Sequence, residues 1–233
     1  MKVIYTRRVP NWYWGFTLCF FCLLVFVPLL LVHTKTDVFP PIYKGNEAKA
    51  QVAFACNVFW GEEYLPEMLD IFKKNNIKIT FFIGGSWAKQ HPELLKKIVD
   101  DGHELGNHTY SHPHPNAIGK DMNKEQISKA EDLIKDLTGI KTVLYAPPYG
   151  EFNDVVLSAA KELGYTTIMW SIDTIDWKKP SDAVIVSRVM SKIHNGAIIL
   201  MHPTAPTVKA LPTIIRELQA KGFAVGSVSM VIE

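Results

Sequence analysis

The sequence predicts an α/β domain with a parallel sheet over residues 51–233, preceded by one membrane-spanning helix. Three observations predict it. Short apolar runs alternate with amphipathic runs along most of the chain, the pattern of strands and crossover helices. Polar residues able to do chemistry fall at the C-terminal ends of the apolar runs, where a curled parallel sheet gathers them on one face. And one stretch near the start, WYWGFTLCFFCLLVFVPLLLV, carries no charge at all.

That uncharged stretch is residues 12–32. At about 1.5 Å per residue a helix there spans about 31 Å, close to a bilayer core of about 30 Å. Lys2, Arg7 and Arg8 precede it, and HTKTD after it is nearly neutral. The positive-inside rule then puts residues 1–11 in the cytoplasm and the rest outside, as a single-pass protein of the cell membrane. Trp12, Tyr13 and Trp14 supply an interfacial aromatic belt. A cleaved signal peptide is the rival reading, but no small-residue cleavage site follows the run. Residues 33–50, with a Pro pair, a Gly and mixed charges, read as a linker.

The first strand is QVAFACNV. A helix from about Glu62 follows, with Leu65, Met68, Leu69 and Phe72 on one face. KITFFIG is the second strand. Pro92 opens a helix whose apolar face is Leu94, Leu95, Ile98 and Val99, ended by Gly102. HELGNH is a short third strand, and Asn123 with Gln126 forms a capping box for a helix to about Gly139. TVLYA is the fourth strand; Asn153 caps the next helix and Gly164 closes it. YTTIMWSI is the fifth strand, Ser181 caps another helix and GAIILMH is the sixth strand. A helix around Leu211 to Lys221 leads to a seventh, FAVGSVSM. An open doubly wound sheet and a small distorted (β/α) barrel both fit this order. The barrel better explains the clustering of polar residues at strand ends.

Net charge is +2 over 233 residues and 48% of them are apolar, which describes a folded chain. Lys and Arg are scattered with no basic run, so no nucleic-acid partner is expected. Three cysteines, two of them inside the apolar run, build no disulfide framework.

His108 and His112 stand four apart after strand three, the spacing of a metal pair. His114, between two prolines, reads as a rigid-loop residue. Ala146 to Gly150, APPYG, fixes a tight turn after strand four, and backbone N–H groups near Tyr149 and Gly150 there suit an oxyanion. Asp173 or Asp176 after strand five can hold one nitrogen of His202, which ends strand six, leaving the other to move a proton.

GNHTYSH, APPYG, DTIDW and ILMH, in that order, resemble the polysaccharide deacetylases, the family-four carbohydrate esterases with the NodB-homology domain. The resemblance covers essentially residues 51–233, and the later motifs look most like its sporulation-associated members. It implies a distorted (β/α) barrel and a divalent metal, zinc, on His108 and His112. It implies a metal-dependent hydrolase that removes N-acetyl groups from amino-sugar polymers such as peptidoglycan or chitin. His202 is then the acid with Asp176 behind it, and Tyr149 the oxyanion donor. Trp170, Leu200, Pro148 and Asp173 would meet the substrate.

The chain departs from the family at two motifs. A TFDDG motif should supply a catalytic base and a third metal ligand. Here Asn57 stands at the base, and Val58 or Phe59 at the ligand. The Arg before the Pro pair, the base's partner, is Ala146. An amide takes no proton near neutral pH, so Asn57 cannot be a general base. Glu62 and Glu63 are nearby carboxylates, although first-turn acidic residues also suit a helix dipole. The alternative function is a catalytically impaired glycan-binding protein.

Overall fold

The first strand, β1 (Gln51–Val58), sorts its side chains by parity. Val52, Phe54, Cys56 and Val58 pack outward against helices, in one large cluster with Leu65, Met68, Phe72 and Leu211. Ala53 and Ala55 face inward, with Phe82, Leu144, Ala146, Ile168 and Ile198. The inner parity continues to Asn57, which therefore emerges at the mouth of the inner face. In a computed structural model the chain is described for Lys2 and residues 39–233. The expected anchor, residues 12–32, lies outside the described residues. Among those described, no helix is long and apolar enough to cross a membrane.

The further elements are α1 (Leu65–Lys74), β2 (Thr80–Ile83), α2 (Gly85–Gln90), α3 (Pro92–Asp100), β3 (Glu104–Asn107), α4 (Lys120–Thr138), β4 (Leu144–Tyr145) and α5 (Asp154–Glu162). Then come β5 (Thr166–Thr167), β6 (Ile172–Asp173), α6 (Asp182–Met190), β7 (Ala197–Met201), α7 (Ala205–Ala220), β8 (Ala224–Gly226) and α8 (Val228–Ile232). The strand order is β5-β4-β3-β2-β1-β7-β6, and every named pair is parallel. β8 lies beside Gln51–Ala53, on the side of β1 that β2 takes from Ala55 onward. Strand ends that carry chemistry therefore share one face.

β5 and β6 stand at opposite ends of this order, yet only residues 168–171 separate them. Five peptide steps reach at most about 18 Å, so the sheet must curl until its edges nearly meet. It is a half-barrel of the expected type. Residues 42–46, inside the expected linker, bridge the gap. Ile42 N–H donates to Thr167 O (2.9 Å), Met169 N–H to Ile42 O (2.8 Å), and Gly45 N–H to Gly196 O (2.7 Å). The reading of 33–50 as a linker thus fails from residue 42 onward, where the chain forms a seam rather than a tether.

Other expectations also change. The fifth strand breaks into β5 and β6, because the chain must cross the gap. α4 begins at Lys120, so Asn123 is no cap. Its buried amide instead donates to the carbonyls of Pro115, Ile118 and Gly119. α7 starts at Ala205, capped by Thr204; its two prolines disguise the start. The final apolar run is strand only to Gly226, then turns into α8. Asn153 does cap α5, accepting from Val156 N–H at 3.0 Å.

Candidate active site

A cleft of about 480 Å³ opens at the C-terminal strand ends. Asn57, His108, His112, Tyr149, Trp170, Asp173, Leu200 and His202 all line it. Pro148, expected to meet substrate, is buried and absent from the lining; it shapes the turn below. Phe59, the alternative to Val58 at the ligand position, also lines the cleft, and Trp60 and Trp177 add two indoles to the expected site. Aromatic residues directly after strand one and within DTIDW were the available signal.

β3 delivers His108, whose N–H donates to Ile83 O at 3.0 Å and extends the ladder by one residue. The ring is buried, and Nδ1–H donates to Ala146 O at 2.7 Å. That bond leaves the Nε2 lone pair facing His112 Nε2, 3.1 Å away. The loop between them is tightly folded: Thr109 and His112 have φ of 62° and 56°. Gln126 Oε1, on α4, accepts from both Ser111 N–H and Ser111 Oγ–H at 2.9 Å and pins the loop between the two histidines. Burial, then the neighbouring imidazole, pushes His108 down to about 3; burial pushes His112 down to about 4. Both rings are neutral at pH 7, the form that ligates metal.

Two nitrogens 3.1 Å apart suit two corners of one tetrahedral ion with bonds near 2.0–2.1 Å. The third corner does not fit. Val58 is packed into the helix-side core. Phe59 takes the cleft position, its ring centroid 4.7 Å from that of His112. Among the described residues no group of three His, Cys, Asp or Glu side chains is placed to hold a metal. Asn57 Oδ1 is buried with no hydrogen-bond partner. Ala146 is 3% exposed, in the inner cluster with Ala53 and Ala55. Glu62 and Glu63 do not line the cleft; Glu62 stands 4.0 Å from His91.

On the other side of the cleft the Asp176–His202 pair is fully satisfied, although Thr174 Oγ1 beside it is buried without a partner. Asp176, not Asp173, holds His202. Asp176 Oδ1 accepts from His202 Nδ1–H at 2.8 Å, and Oδ2 accepts from His202 N–H and Thr207 Oγ1–H, both at 2.6 Å. Asp176 is wholly buried, and the indole of Trp60 lies parallel to the His202 ring, 5.6 Å between centroids. Asp173 instead accepts from Ile175 N–H at 2.7 Å and turns the loop. Ile175 is left-handed at φ 52°, an unfavourable state for a β-branched residue. Arg188 on α6 donates to the carbonyls of Thr174 (2.8 Å) and Ile175 (3.5 Å) and braces it.

Tyr149 is also left-handed, at φ 59° and ψ 5°, followed by Gly150 at φ 67°. A side chain at Gly150 would strike the Trp170 ring at 2.6 Å, so only glycine lets that indole form the cleft wall.

The polysaccharide deacetylase family model matches residues 44–168. YlxY of Bacillus subtilis (strain 168) is 46% identical over 202 residues, 87% of this chain and 63% of that protein, so this chain spans under two thirds of its length. A peptidoglycan-N-acetylglucosamine deacetylase of Bacillus cereus is 37% identical over 185 residues, 77% of this chain and 67% of the relative. Among solved structures, a CE4 family pseudoenzyme from Bacillus anthracis superposes with a TM-score of 0.82 at 44% identity, covering 83% of this chain and 69% of that one. A mutant of it with restored enzymatic activity superposes equally well, at 42% identity over 83% and 71% of the two chains.

Proposed function

Because the chain belongs to the polysaccharide deacetylase family, we propose that its cleft binds cell-wall amino-sugar polymer and that its hydrolytic chemistry is impaired. The observation that carries this reading is the pair of substitutions at the end of β1. Asn57 presents an amide where a base is needed, and Phe59 sets a ring against His112 where a carboxylate ligand is needed. A cleft with aromatic and histidine walls and few fixed polar groups retains what sugar binding requires.

The expected divalent metal, zinc, would have His108 and His112 as ligands; Asn57, which lines the same cleft, carries an amide oxygen. When bound it would supply Lewis-acid polarisation of an acetyl carbonyl or water. Two imidazoles are one ligand short of a catalytic zinc site, so binding is weak. His108→Ala and His112→Ala should each abolish what zinc the wild type retains.

The chain's own residues still support one proton movement. Asp176 fixes the His202 tautomer with the proton on Nδ1, leaving Nε2 to give or take a proton in the cleft. This complete acid arm favours the second reading, slow residual deacetylation. Acetate release and binding, measured on chitooligosaccharides and peptidoglycan with the full-length chain, separate the two. Binding without acetate supports the impaired protein; turnover in the wild type supports the hydrolase; neither sinks both.

We place the domain outside the cell, tethered through residues 12–32, on the charge bias that flanks that uncharged run. Protease added to intact protoplasts should release a soluble fragment, and a fully protected domain would reverse that orientation.

A further inference from the structure

We infer that His114 and Glu151 form a separate sugar subsite on the rim of the cleft, which holds a further hexosamine unit of a bound amino-sugar polymer, beyond the disaccharide that the cleft itself takes. This rests on the glycan-binding reading above. His114 Nδ1 pairs with Glu151 Oε1 at 3.0 Å, and neither side chain lines the cleft itself. The His114 ring lies flat on the Tyr149 ring, 4.0 Å between centroids and 10° from parallel. Tyr149 is the shared member: it lines the cleft, and its ring also meets that of His112 at 4.6 Å.

Folding gives little reason for this arrangement. Tyr149 is 57% exposed and held at positive φ, so its ring gains little burial for an unfavourable backbone. His114 and Glu151 have side-chain exposures of 58% and 35%, and even as an ion pair such an exposed contact contributes little to stability. What the three residues do present is a planar aromatic pair beside polar atoms with free capacity. The second oxygen of Glu151, Oε2, accepts hydrogen bonds, and His114 Nε2 is turned away from the carboxylate. A pyranose has the matching surface: an apolar C–H face and vicinal hydroxyls at its edge. Flanking prolines, Pro113 and Pro115, limit the freedom of His114, so little ordering is required on binding.

The experiment is calorimetric titration of the full-length chain with N-acetylglucosamine oligomers from dimer to hexamer. Two variants probe the rim. Glu151→Ala removes the carboxylate; His114→Phe keeps a ring stacked on Tyr149 but removes the nitrogens. Wild-type affinity should rise about tenfold or more from dimer to hexamer, the worth of a hydrogen bond to a charged group. Both variants should lose that gain while binding the dimer within about twofold of wild type. A variant that binds the hexamer like wild type overturns the inference, as does equal loss for dimer and hexamer. Absence of any binding by wild type instead removes the glycan-binding reading on which the subsite depends.

Discussion

The two sides of the cleft differ in how their polar atoms are satisfied. At the ends of β6 and β7 both oxygens of Asp176 are used, and two of its three partners, His202 N–H and Thr207 Oγ1–H, belong to the fold as much as to chemistry. At the ends of β1 and β3, Asn57 Oδ1 is buried without a partner and Phe59 packs on His112. The difference teaches why an acid arm can outlast a base. Asp176 anchors the end of β7 and the start of α7, so its loss costs stability. Nothing in the fold requires a carboxylate at 57 or 59. Retention of His202 and Asp176 is therefore weak evidence for turnover, and the β1 end is the informative one.

The largest effect should come from rebuilding the incomplete side. Asn57→Asp with Phe59→Asp supplies a base and a third ligand together. Acetate release should rise by about 10² to 10⁴ over wild type, the usual contribution of a positioned base. Zinc retained after dialysis should rise with it. A double variant that binds zinc yet releases no more acetate would mean that more than these two groups is missing.

Breaking the complete side tests the structural half of the comparison. Asp176→Ala leaves His202 N–H, its Nδ1 and the Thr207 hydroxyl without their acceptor, and should cost about 3–5 kcal/mol in denaturant unfolding. Asn57→Ala removes an atom that already lacks a partner and should change stability by less than about 1 kcal/mol. Equal losses would erase the asymmetry. Arg188→Met sits between these: it strips two carbonyls of a donor beside Ile175 and should cost about 1–2 kcal/mol.

The effect that is smallest at neutral pH, and grows only on acidification, concerns ionisation. If burial is the main reason the cleft histidines are neutral, a buried histidine at the other end of the sheet should behave alike. His103 precedes β3, accepts from Ile79 N–H at 3.1 Å through Nδ1, and is held at about 4, first by burial and then by Lys78. Below its ordinary value of 6.5 the unfolded chain takes up a proton that the folded chain refuses. Stability should therefore fall as pH drops from about 6.5 towards 4. Melting temperature followed over that range should fall less steeply in His103→Gln, and an unchanged slope would count against burial as the cause.

Much of the fold could be read from periodicity. The alternation that makes β1 a strand also separates Val58 from Asn57, and the helix faces around Leu65 to Phe72 and Leu94 to Val99 match their apolar spacing. Misreadings clustered where one local signal had two meanings. Pro and Gly in residues 40–45 suit a tether or a seam. YTTIMWSI suits one long strand or two short ones. Asn123 suits a cap or a buried amide. In each case distant residues settled the matter, through contacts that a window of sequence does not contain.

The sequence by itself determined the alternating architecture, the order of the strand-end motifs and the loss of a carboxylate at position 57, because these depend on local composition and spacing. Only the tertiary structure decided which aspartate holds His202, which of Val58 and Phe59 enters the cleft, and that residues 42–46 close the curl. Each is a matter of which side chain points inward once the sheet has bent. The bend is set by two edges far apart in strand order being tied by a four-residue crossing, a constraint no single segment carries.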